Sequence, residues 1–154
     1  MLMGPLRPDE NEFYCRKLLE EHYVCVMDPA NPLAAAPLTI DGYATCKHTT
    51  VTYGGNWRSG YLVALERLGL SHDHAVKVPS PAGLEQMIVG TDLVATIPSR
   101  LAAVFGPSIH VAKCPCPAPF EIHLVWTMRT HHSAMHVWLR TLILEVVRTS
   151  FPRI

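Results

Sequence analysis

The chain has 154 residues, 49% of them hydrophobic and 17% charged, with 13 Lys plus Arg balanced by 13 Asp plus Glu. That composition excludes a polar, disordered chain and suits one domain's worth of buried core. Zero net charge excludes a general attraction to nucleic-acid backbones or to an anionic membrane. The most apolar stretch, residues 137–147, is interrupted by Arg140, Thr141 and Glu145, so it reads as a surface helix and not as a membrane span. Residues 1–10 carry no basic-then-apolar leader pattern, and five irregularly spaced cysteines do not make a disulfide framework. The expected compartment is therefore the cytoplasm, with reduced thiols.

Residues 22–27 (HYVCVM) form a compact apolar run stopped by Asp28, Pro29, Asn31 and Pro32, which predicts a buried strand. Residues 49–53 (TTVTY) are rich in β-branched side chains and end at Gly54-Gly55, predicting a second strand. Across 57–68 the apolar positions Tyr61, Leu62, Leu65 and Leu68 follow helical spacing, with Gly69 as C-terminal cap and Leu70 packing back. A short strand is expected at 75–78, then a helix opening at Ser80-Pro81, running toward Val89 and stopped by Gly90. Residues 92–97 predict another strand. After Pro98 comes a helical SRLAAVF stretch ending at Gly106, and residues 110–112 and 121–126 (EIHLVW) are further extended segments. CPCPAP at 114–119 reads as a rigid connector. The last element, a helix over 133–148 capped by Ser133, places Trp138, Leu139, Leu142, Ile143, Val146 and Val147 on one stripe. Strand and helix alternate, so the expected fold class is α/β with a mainly parallel sheet.

Catalytic and metal chemistry is poorly represented. Cys114-Pro-Cys116, His72-Asp-His74 and His131-His132 lack the spacing of a four-ligand site, so no metal is expected. There is no Gly-x-Ser-x-Gly turn, no Walker pattern and no dinucleotide glycine fingerprint, which argues against an enzyme and against a bound cofactor. Two predicted helices, opening near Asn56 and Ser80, follow strands directly, so their free N–H groups would face the carboxyl edge of the sheet, where anions bind. There His48, Thr49, Thr50 and Ser80 would orient a small carboxylate or phenolate, with Trp126 as an apolar wall. Plain capping and turn roles fit the same residues equally well.

Several runs, in this order and spacing, carry a family resemblance: GPLRPDENEFYCRKLLEEHYVCVMDPANPLA, PLTIDGYATCKHTTVTYGG, ALERLGL, VPSPAGLEQMIVGTDLVATIPSRLA, and PFEIHLVW followed by a helix containing WLR. Over nearly its whole length the chain resembles the effector-binding domain of LysR-type transcriptional regulators, especially the nodulation and naphthalene- or nitroaromatic-responsive subgroup. The resemblance implies a type 2 periplasmic-binding-protein-like fold of two α/β lobes joined by two crossing strands, with the effector in the cleft between the lobes. Residues 22–27 and 121–126 would be the crossings and 28–120 a nearly complete second lobe. Residues 1–21 and 127–154 would be remnants of a mostly missing first lobe, and the winged helix-turn-helix and dimerisation helix would be absent. The implied function is non-enzymatic sensing of a small aromatic or other organic acid. The implied ligand-binding residues are His48 and Thr49 at the start of a second-lobe strand, Ser80 and Pro81 in the turn after Val78, Thr96 near a strand end, and Trp126 beside a crossing. Expected partners are that acid and a second copy of the chain, with DNA reached only through a helix-turn-helix this chain lacks, and no membrane. Two alternatives stay open: a solute-binding or enzyme domain on the same fold, and a remnant that pairs with full-length regulators.

Overall fold

The computed structural model describes residues 1–5, 12–52, 58–71 and 73–151. The chain divides into two compact units, one comprising Met1–Glu21 with Phe120–Ile154 and the other His22–Pro119.

In the first unit, β1 (Leu2–Gly4) and β2 (Phe13–Glu21) flank β8 (Phe120–Thr127), both antiparallel to it. Helix α5 (Ala134–Ser150) lies against β2. Ser133 occupies the N-cap position of α5 but its side chain makes no capping bond. Strand β8 supplies this unit's apolar interior through Leu124, Val125 and Trp126, while α5 contributes no fully buried residue.

The second unit is a five-stranded sheet in the order β5-β4-β6-β3-β7. Its strands are β3 (Tyr23–Met27), β4 (Lys47–Val51), β5 (Asp73–Val78), β6 (Val94–Pro98) and β7 (His110–Lys113). Pairing is parallel for β4 with β5 and with β6, and antiparallel for β3 with β6 and with β7. The α/β architecture is the expected one, and its sheet is mixed because β3 starts opposite Pro98, the last residue of β6, and runs back along it.

Side chains alternate across the sheet, so each strand serves two interiors. One face gathers Val24, Val26, Val51, Ala95 and Ile97 against Leu84 and Ile88 of α3 (Leu84–Ile88) and Ala102 of α4 (Ser99–Ala102). The other face packs under α1 (Ile40–Thr45) and α2 (Gly60–Arg67), where Tyr23 meets Tyr61 edge-on at 5.1 Å. Full burial of each such large apolar side chain contributes about 1.5–3 kcal/mol.

Local chemistry explains where the elements stop. Helix α2 ends as its spacing predicts: Gly69 is left-handed at φ +69°, and Leu70 N–H donates to the Leu65 carbonyl. Helix α3 begins at Leu84 and not at Ser80, because Gly83 is left-handed at φ +79° and a right-handed helix cannot run through it. The other predicted helix start, near Asn56, lies outside the described residues, as do Tyr53 and Trp57.

Candidate functional site

Strand β4 begins at Lys47, two residues earlier than its β-branched run predicts. His48 and Thr49 are therefore the second and third of its five residues, about 7–10 Å of strand rise from the carboxyl edge, where an anion site was expected. Both are 1% exposed. The His48 Nε2–H donates to the Tyr43 carbonyl at 2.7 Å, and the Cys46 sulfur lies 3.3 Å from the same nitrogen. A carbonyl only accepts, so the proton resides on Nε2. Burial pushes the imidazole pKa down, against the opposing pull of the Tyr43 carbonyl, and the ring is neutral at pH 7.

Thr96 joins the same knot from β6. Its hydroxyl lies 2.7 Å from the Tyr43 phenol and 3.7 Å from the Cys25 sulfur. Burial drives the Tyr43 phenol pKa up, so it remains a protonated hydrogen-bonding group. Tyr43 comes from α1, a helix the sequence reading did not find. The available signal was Thr39, whose hydroxyl caps the Gly42 N–H just before this short run. His48 and Thr96 thus converge on one buried tyrosine and not on an open surface.

Thr50 pairs with His74 Nδ1 at 2.8 Å. Thr49 is different: its hydroxyl is buried with no hydrogen-bond partner among the described residues. At the carboxyl edge, Ser80 Oγ accepts from the Ala82 N–H at 3.1 Å, a local turn, and Pro81 follows it half-buried. The anion-binding helix terminus expected at Ser80 is absent, since α3 starts later. At α2, the Gly60 N–H is already taken by the Tyr23 phenol oxygen at 3.2 Å.

Trp126 belongs to the first unit and lies within an aromatic stack. Its Nε1–H donates to His131 Nδ1 at 3.1 Å, Tyr14 lies over His131 at 3.9 Å, and the Arg140 guanidinium sits 4.7 Å from the indole centre. Arg140 also donates to the His131 carbonyl at 2.7 Å. Desolvation, aided by His132 and Arg140, lowers the His131 pKa and so preserves Nδ1 as an acceptor. The sequence showed His131 only as half of a histidine pair without metal-ligand spacing, Arg140 only as a break in an apolar stretch, and Tyr14 not at all, because β2 pairing and the turn into α5 bring them to Trp126. Among the described residues, no group of three or more His, Cys, Asp or Glu side chains is placed to hold a metal ion, and no helix is long and apolar enough to cross a membrane.

Comparison with known proteins supplies a context for these residues. The family described as the LysR substrate binding domain matches residues 2–148. The chain is 28% identical over 149 residues to the HTH-type transcriptional activator NahR of Pseudomonas putida, covering 95% of this chain and 50% of NahR. It is 29% identical over 133 residues to Nodulation protein D 1 of Sinorhizobium fredii, covering 84% of this chain and 41% of that protein. The chain thus spans about half the length of the curated relatives it matches. Among solved structures, the regulatory domain of MexT from Pseudomonas aeruginosa superposes with a TM-score of 0.76 at 20% identity, covering 93% of this chain and 70% of that one. The effector binding domain of QuiR in complex with shikimate gives 0.74 at 14% identity, covering 97% and 72%.

Proposed function

The chain belongs to the LysR substrate-binding domain family, and on that premise we propose that it is the effector-sensing part of a LysR-type transcriptional regulator whose ligand is a small organic acid, aromatic acids foremost. The family match across residues 2–148 carries this reading. Support for the acid comes from the similarly folded QuiR domain, solved with shikimate, itself a small carboxylic acid. The domain senses by differential affinity for two conformations and makes or breaks no bond. It works in the cytoplasm, as a homo-oligomer, and reaches DNA through a helix-turn-helix segment outside these residues.

In this reading residues 28–120 are one lobe nearly entire, and 1–21 with 127–154 are part of the other. The ligand-binding residues divide by role. Ser80 and Pro81 shape the turn at the carboxyl edge of the sheet, and Thr49 holds a buried hydroxyl with no partner among the described residues. His48 and Thr96 act through Tyr43, fixing α1 on the sheet, and Trp126 acts through its stack with His131.

A thermal-shift panel tests the ligand class. Benzoate and hydroxybenzoates at millimolar concentration should raise the melting temperature, and the neutral amide of the same ring should not, because only the native state binds the acid. Equal shifts from acid and amide would refute the acid specificity, and no shift from any acid would refute the reading.

A further inference from the structure

Strand β7 pairs antiparallel with β3, with Ala112 opposite Cys25. Two residues further on, Cys114 returns to the same face of the sheet, diagonal to Cys25 on the neighbouring strand, and the two thiols interact. The two are 3% and 0% exposed. Neither participates in the ligand-sensing role proposed above, and all five cysteines are free thiols. Thr96 Oγ1 sits on the far side of Cys25 at 3.7 Å. The Cys114 sulfur also lies 3.4 Å from the Cys116 carbonyl, while Cys116 points its own sulfur at the Tyr61 carbonyl, 3.8 Å away.

The two thiols differ in access. Cys114 lines a cavity of about 590 Å³ together with His110, Ala112, Lys113 and Pro115, whereas Cys25 lies behind it in the sheet and does not line that cavity. A small reagent entering the cavity therefore meets Cys114 first. An accessible attacking sulfur backed by a buried partner is the arrangement of a dithiol that oxidises in order.

We propose that Cys114 and Cys25 form a peroxide-oxidisable dithiol, in which Cys114 reacts from the cavity, Cys25 resolves it, and the product is a Cys25–Cys114 disulfide. In the first step the Cys114 thiolate attacks one oxygen of hydrogen peroxide and the O–O bond breaks. Cys114 becomes a sulfenic acid, and the released hydroxide takes up a proton as water. In the second step the Cys25 sulfur attacks the Cys114 sulfur. The S–O bond breaks, the leaving hydroxide takes the Cys25 proton, and a second water departs. The two thiols lose two electrons and two protons in all, and the peroxide is reduced to two waters. The new bond staples β3 to the segment after β7, across the two ends of the second unit, so the oxidised protein unfolds at higher denaturant than the reduced one.

The test uses the whole chain carrying Cys15→Ser, which removes the exposed thiol. The reduced protein is treated with hydrogen peroxide, blocked with maleimide, and mapped by mass spectrometry with fragment ions assigning each sulfur. The expected product has lost two hydrogens and carries a Cys25–Cys114 bond. Cys25→Ser should stop at a Cys114 sulfenic acid trapped by dimedone, and Cys114→Ser should leave Cys25 as an unreacted thiol. Free Cys25 and Cys114 while Cys46 or Cys116 is oxidised would overturn the proposal, and so would a Cys114–Cys116 bond or oxidation of Cys25 in the Cys114→Ser protein. The mapping of the parent chain decides the matter if either serine variant fails to fold.

Discussion

Removing the hydroxyl of Tyr43 tests whether the knot around it holds the second unit together. Tyr43 is 0% exposed and its phenol meets the Thr96 hydroxyl at 2.7 Å. In Tyr43→Phe the ring keeps its packing, but Thr96 is left with only the Cys25 sulfur at 3.7 Å, a weak partner. A buried hydroxyl deprived of its partner costs about 1–3 kcal/mol, against a whole-domain stability of about 5–15 kcal/mol. Thr96→Val removes the other half at nearly constant shape, with a cost in the same range. The double variant has neither half to leave stranded, so its cost should approach that of one single change, with a coupling of about 1–2 kcal/mol between them. Urea unfolding followed by circular dichroism measures all four proteins, and the midpoints should shift without a change in slope. Additive costs, or single changes worth less than about 0.5 kcal/mol each, would refute the account of this bond as a structural tie.

Acidification should destabilise the protein. The His48, His74 and His131 pKa values are all lowered by desolvation, so the unfolded chain takes up protons first. Their contribution is full above the unfolded histidine pKa of about 6.5 and is lost as pH falls through it toward the folded values. Urea midpoints at about pH 7.5 and 5.5 should therefore decline, with a smaller decline in His48→Gln, and a flat profile would contradict this. Gly69→Ala meets no atom within 4 Å, yet φ +69° should cost it about 1 kcal/mol in urea unfolding, and a neutral result would show that the turn relaxes. On α5, Trp138, Leu142 and Val146 are 63%, 40% and 51% exposed and share one stripe, so sedimentation should show concentration-dependent self-association that Leu142→Glu weakens. A monodisperse monomer at every concentration would contradict that expectation.

What the sequence conveyed and what it hid follow from how local each signal is. Helix α5 and the end of α2 at Gly69 were readable because periodicity and a left-handed glycine act within a few residues. The apolar run at 22–27 likewise announced β3, which is buried along its whole length. Strand β2 went unread because its FYCRKLLEE run breaks the two-residue alternation: the register with β8 shifts between Lys17 and Leu19, and the cross-strand Lys17–Glu121 ion pair at 2.8 Å exists only once the strands are paired. Helix α1 was too short to show a period. At the candidate site, the polar residue types on β4 and β6 were visible. That His48 and Thr96 turn toward Tyr43 was not, because that contact depends on where a distant helix docks. The Ser80 helix start failed because a serine-proline pair suits a turn as well as a cap, and Gly83 decides between them.

The most direct test of the central reading is residue-resolved. A 15N-labelled chain titrated with benzoate, with benzamide as the neutral control, reports where and whether an acid binds. The account predicts amide shifts that saturate at millimolar benzoate and concentrate at residues 48–52, at Val78, Ser80 and Ala82, and at Thr96 and Ile97, with no matching response to benzamide. An unperturbed spectrum, or shifts confined to the first unit, would contradict it.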